Sequence, residues 1–139
     1  MKYLAVDVGD RRTGIAVGDD EINIAHPVKV LEIPIGPELI KSISQLMQEH
    51  DIDSVVLGLP LNMDGSEGNR AGLTRSFGGE LQEVINCTVA YQDERLTSVA
   101  AEEHLKGSGK THKQKKRVRD ALAAAEILTD FLHANQSSK

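Results

Sequence analysis

LAVDVGDRRTGIAVGD, residues 4–19, holds two apolar, β-rich runs joined by a short connection of glycine, aspartate and arginine. Residues 2–8 and 13–18 therefore read as the two strands of a hairpin, with Gly9 and Gly14 supplying backbone freedom at either end of the turn. Asp7 is the anomaly in this pattern. Side chains alternate along a strand, so Asp7 shares a face with Ala5 and Tyr3, while Leu4, Val6 and Val8 point the other way. It also lies at the C-terminal end of its strand, where ligand sites collect in α/β sheets because the loops diverge there. Taken alone, the residue is better explained by a carboxylate that caps the turn or reaches water.

Working outward, a third extended stretch over residues 24–33 precedes Pro34, Gly36 and Pro37. Leu39, Ile40, Ile43, Leu46 and Met47 then recur at helical spacing, and that helix is expected to end near His50. Residues 54–59 are short and β-branched enough for a central strand. The loop PLNMDGSEGN follows, and a second helix is expected over residues 70–85. Gly72, Gly78 and Gly79 either weaken that helix or let a neighbour approach closely. Residues 88–92 form the next strand, and Thr97 or Ser98 is an N-cap for a short helix to about residue 106. KGSGKTHKQKK has no apolar periodicity and reads as a mobile basic loop at about 107–117. The last helix is expected over residues 118–134, with Val118, Ala121, Leu122, Ala125, Ile127, Leu128, Phe131 and Leu132 covering enough of its circumference to bury it. The order βββαβαβ, followed by helices, predicts an α/β domain. Its sheet should be mixed, antiparallel in the first three strands and parallel where helices join the later ones.

At 139 residues, 40% of them apolar, the chain suits a single domain spanning 1–139. One cysteine, Cys87, and no apolar run of about eighteen residues point to a cytoplasmic protein without a membrane segment. The net charge of -5 argues against a polyanionic partner until the charges are located. Lys106, Lys110, Lys113, Lys115, Lys116, Arg117 and Arg119 are seven of the 16 basic residues and have no acid among them. Such a tract suits phosphate contacts, which gain affinity by releasing counterions; the plainer alternative is a solvated loop. With 3% aromatic residues there are few platforms for stacking bases, so recognition should rest on shape and phosphates.

Two further acidic positions resemble Asp7 in placement. Asp93 and Glu94 follow a strand directly, and because neighbours on an extended chain point oppositely, only one of them should face the site of Asp7. Asp120 opens the last helix on the stripe that continues through Ala124, Ile127 and Phe131. Each has an ordinary explanation, a turn or ion pair with Arg95 for the first and the helix dipole for the second. If the three converge, their mutual burial would be unfavourable without cations. Magnesium, a hard ion that prefers oxygen, would resolve the conflict, and two such ions about 4 Å apart can support displacement at a phosphodiester.

DVGDRRTGIAVGD, GLPLNMDGSEG, DERLTS and RVRDALAAAEIL, in this order across nearly the whole chain, resemble the YqgF/RuvX family of bacterial proteins. The resemblance implies a ribonuclease H-like fold shared with Holliday-junction resolvases: a mixed five-stranded sheet flanked by helices. It also implies a metal-dependent nuclease that matures the 5′ end of the 16S ribosomal RNA precursor, with resolution of branched DNA junctions as the alternative. By this similarity Asp7, Glu94 and Asp120 are the catalytic metal ligands for Mg²⁺ or Mn²⁺, as two ions. Arg95, Lys110, Lys113, Lys115, Lys116, Arg117 and Arg119 are then the nucleic-acid contacts. One departure is that resolvase relatives usually carry the second acid on the strand beside the first. Here that strand, residues 54–59, holds none, which keeps Asp64 and Asp93 as alternatives to Glu94.

Rival readings are weaker. GSGKT lacks the earlier glycine of a phosphate-binding loop, having His104 in its place, and no strand precedes it. Sugar kinases and actin-like ATPases use a similar Asp-x-Gly hairpin but clamp ATP between two such domains, which this length does not provide. A non-catalytic RNA or ribosome-assembly protein would need only the basic tract. The five histidines show no metal-binding spacing.

Overall fold

The opening hairpin is present: β1 (Lys2–Val8) and β2 (Thr13–Asp19) pair antiparallel, with Asp7 opposite Gly14. A computed structural model of the chain describes residues 1–94 and 112–137. β3 (Ile24–Leu31) extends the antiparallel sheet beyond β2, ending slightly before the expected boundary. α1 (Pro37–Glu49) begins with proline in its first turn, where a missing N–H costs nothing, and buries Leu39, Ile40, Ile43, Leu46 and Met47. β4 (Ser54–Leu59) returns parallel to β1 and is buried throughout, as a central strand must be. α2 (Asn69–Ile85) ends at Asn86, whose left-handed backbone closes the helix with an N–H to the Gln82 carbonyl. β5 (Val89–Asp93) then adds parallel to β4. The sheet order is β3-β2-β1-β4-β5, mixed as the connections predict.

Alternation along β1 sorts the core into two layers. Leu4, Val6 and Val8 pack with residues of α1 and α2, including Leu39, Ile43, Phe77 and Leu81. Tyr3, Ala5, Ala16 and Val56 face the last helix, α3 (His112–Ser137), through Ala124, Ile127, Leu128 and Leu132. Each large side chain fully buried in these layers contributes about 1.5–3 kcal/mol by leaving water. Small residues on the second face let α3 lie close to the sheet, and Tyr3 meets Phe131 edge-on at 5.3 Å between ring centres.

α3 differs from expectation at its start. It begins at His112 rather than near residue 118, so residues 112–117, read from sequence as part of a mobile loop, are helical. Lysine, glutamine and arginine are good helix formers, but a polar run of them shows no apolar periodicity by which to recognise the helix. The expected short helix to residue 106, and residues 107–111 of the expected loop, lie outside the described residues.

Candidate functional site

Asp7 projects from the next-to-last position of β1 onto the α3 face, half-buried, beyond the alanine and tyrosine that share its side. Val6 and Leu57 are the last paired positions of β1 and β4, so Asp7 and Gly58 are the next residues along the two strands. Gly58 has no side chain, and the space is taken. A Cβ there would stand 2.6 Å from Glu94 Oε2 and would also strike Ile127. Glu94 follows β5 immediately, and its N–H donates to the Leu59 carbonyl at 3.3 Å, which carries the ladder one step past the strand. From that position its carboxyl extends across Gly58 and hydrogen-bonds Asp7. The missing acid on β4 is thus matched by a glycine that admits an acid from the next strand.

The two carboxyls share a proton. Burial, the Asp7 charge and the hydrogen bond to Asp7 push Glu94 from its ordinary 4.5 up to about 9. Burial also raises Asp7, opposed by the hydrogen bond from Glu94 and the positive charge of Arg70. Glu94 is therefore the donor and Asp7 the acceptor, and the pair titrates as a unit. Asp93 pairs with Leu59 at the end of β5, and its charge adds to the upward pressure on Glu94. Asp64 lies in the exposed loop after β4, where it accepts from the Ser66 N–H at 2.9 Å and the Ser66 hydroxyl at 2.6 Å.

Asp120 approaches from α3. Gly14, the cross-strand partner of Asp7, lies under this helix, and a Cβ on it would overlap the Asp120 carbonyl. The glycine lets the helix sit beside the Asp7 strand. The Asp120 carboxylate, however, is turned to Arg12, whose Nε is 3.3 Å from Oδ2. Among the described residues no three acids, histidines or cysteines gather closely enough to hold a metal. Asp7 and Glu94 meet, and Asp120 stands over Gly14, the cross-strand partner of Asp7, in an ion pair with Arg12.

The donor set nonetheless suits a hard divalent cation. Two carboxyls in contact supply only oxygen, and both resist ionisation because their burial outweighs the positive charge of Arg70. A cavity of about 540 Å³ lined by Gly9, Asp10, Arg11, Arg12 and Asp120 opens beside the turn after β1, and Arg70 lines a separate small crevice on the other side of Gly9 and Asp10. Arg12 and Arg70 carry no strong signal in the sequence. Arg12 could have been picked out only as a cation in the turn after Asp7, and Arg70 is 60 residues from its partner Asp10. Of the expected nucleic-acid contacts, Lys113, Lys115, Lys116, Arg117 and Arg119 belong to the first turns of α3. Arg95 and Lys110 lie outside the described residues.

A family model described as RuvX, Holliday junction resolvase, matches residues 1–134. A Chloroflexus aurantiacus protein named "Putative pre-16S rRNA nuclease" is 40% identical over 135 residues, covering 97% of this chain and 88% of its own. A protein of the same name from Caldanaerobacter subterraneus subsp. tengcongensis is 35% identical over 139 residues, covering 99% and 100%. Among solved structures, Thermus thermophilus RuvC in complex with Holliday junction substrate superposes with a TM-score of 0.59 at 15% identity, over 99% of this chain and 98% of that one. The fowlpox virus Holliday junction resolvase gives 0.59 at 13% identity, over 96% and 99%. These two likenesses establish the fold, that of the ribonuclease H-like resolvases.

Proposed function

The chain belongs to the RuvX family, and from that membership we propose that it is a divalent-metal-dependent nuclease that trims the 5′ end of the 16S ribosomal RNA precursor in the cytoplasm. The observation that carries the reading is the Asp7–Glu94 pair, two carboxyls that meet from the C-terminal ends of β1 and β5 across Gly58 of the intervening β4. Such a pair is of little use to a sheet in itself, since one carboxyl must stay protonated to avoid burying two like charges. It becomes useful when a cation arrives.

Asp7 and Glu94 would hold the metal, Mg²⁺ or Mn²⁺ as two ions, with Asp120 completing the set after exchanging its ion pair with Arg12. When bound, such ions activate water and neutralise charge that develops on the phosphate oxygens. The chain's own part is to place the oxygens. β1 fixes Asp7, the extended ladder of β5 fixes Glu94, and Gly14 lets α3 bring Asp120 alongside. Glu94 would hold the cation as a carboxylate, since a bound positive charge offsets the burial that otherwise keeps it protonated. Arg95, Lys110, Lys113, Lys115, Lys116, Arg117 and Arg119 would hold flanking phosphates and supply most of the affinity. Structured RNA is the favoured partner because the relatives covering nearly the whole chain are named for it. Cleavage of branched DNA is the second reading, favoured by the family description and by the resolvases that share the fold.

The test sets a transcript carrying the 5′ leader of 16S ribosomal RNA against a four-way DNA junction, each with Mg²⁺ or Mn²⁺. Asp7→Asn keeps the shape and removes the charge, and should lower cleavage at least about 100-fold. Cleavage by that variant at the wild-type rate would refute the site, and faster cleavage of the junction than of the transcript would reverse the substrate assignment.

A further inference from the structure

Arg70 stands in the first turn of α2 and reaches the β1–β2 turn, where its Nη1 donates to Asp10 Oδ1 at 3.0 Å. The Asp10 side chain is 83% exposed and that of Arg70 54%, so water surrounds the pair and it contributes little to stability. A small crevice of about 80 Å³, bordered by Val8, Gly9, Ile35 and Thr74, adjoins it. Val8 and Gly9 directly follow Asp7, so the guanidinium that shares this crevice stands at the end of the strand that carries the site. A permanently charged planar fork thus stands beside the end of β1, held only by a surface carboxylate. A phosphodiester offers that fork the same charge and the same two-oxygen geometry as a carboxylate does.

We infer that Arg70 is a substrate-binding residue that grips a backbone phosphate next to the scissile one, and that Asp10 occupies its guanidinium as an internal competitor until nucleic acid arrives. The inference rests on the nuclease reading above and adds a contact that lies outside the basic tract. It makes a prediction of sign. If the ion pair served only the fold, removing either partner would have the same effect. If Asp10 competes with phosphate, the two removals act in opposite directions.

The experiment measures binding of a fluorescein-labelled stem–loop RNA to the full chain in Ca²⁺, over a range of salt. Arg70→Gln should weaken binding about tenfold, and should flatten the slope of log affinity against log salt by about 0.7–0.9, the share of one phosphate contact. Asp10→Asn should tighten binding about threefold. In the Arg70→Gln background the same substitution should change nothing, because Asp10 acts through the guanidinium. Two variants shifted in the same direction, or tightening by Asp10→Asn that persists without Arg70, would overturn the inference. Wild-type binding with Arg70→Gln unchanged would overturn it alone. A wild-type chain that leaves the RNA unbound would overturn the nuclease reading together with it.

Discussion

The proton between Glu94 and Asp7 ties metal binding to stability. Glu94 has its folded value raised from 4.5 to about 9, so the folded chain holds a proton that the unfolded chain has already released. Its contribution to stability is fully present below about pH 4.5 and is lost as the pH rises toward 9. The metal-free protein should therefore melt progressively lower between pH 5 and pH 9, by roughly 5 °C or more. Glu94→Gln, which cannot ionise, should flatten that dependence, and Mg²⁺ should raise the melting temperature most at the alkaline end, where no proton need be displaced. A metal-free wild type whose melting temperature is level across this range would contradict the shared proton. Asp7 and Glu94 were both legible in the sequence because each acid follows or ends an apolar strand. How they meet was not. A glycine inside a strand says that something comes close, and only the three-dimensional arrangement shows that at Gly58 the neighbours are Glu94 and Ile127.

At the scale of elements, the strands and α1 were legible from apolar period, β-branching and turn residues, since their burial patterns are what write those signals. α2 was legible in extent but ambiguous in its glycines. Gly78 proves to be the one under close approach, from the Tyr91 hydroxyl, while Gly72 and Gly79 have open space where a side chain would stand. The start of α3 was not legible, because residues 112–117 have the composition of a solvated segment and still form helix. That placement sharpens the role of the basic residues, which become charges on a regular scaffold that continues directly into Asp120. Replacing Lys113, Lys115, Lys116 and Arg117 together with alanine, the best helix former, should leave helix content by circular dichroism unchanged. Affinity for structured RNA should fall, and the salt slope should flatten by about 0.7–0.9 for each charge that met a phosphate. Unchanged affinity and slope would mean that the tract serves only solubility.

For the whole molecule, the site joins segments that are remote in sequence: the turn after β1, the end of β5 and the start of α3. The ion pair of Arg12 with Asp120 links the first of these to the last across the Asp7 strand. Both side chains are about three-quarters covered, so the link is worth more than a surface pair, of the order of 1 kcal/mol. It also occupies the carboxylate that a third metal ligand would have to provide, so a metal that used Asp120 would compete with Arg12 for it. Arg12→Gln should therefore lower the melting temperature of the metal-free protein by about 3–5 °C. It should also tighten Mn²⁺ binding several-fold in titration calorimetry, with a larger metal-induced rise in melting temperature than the wild type shows. A variant that loses stability without any gain in metal affinity would show that Arg12 only braces the helix, and Asp120 would then have no place among the ligands. The gain, if found, identifies the ion pair as the form the site takes before the metal, with an arginine side chain standing in for the cation that all three segments are arranged to receive.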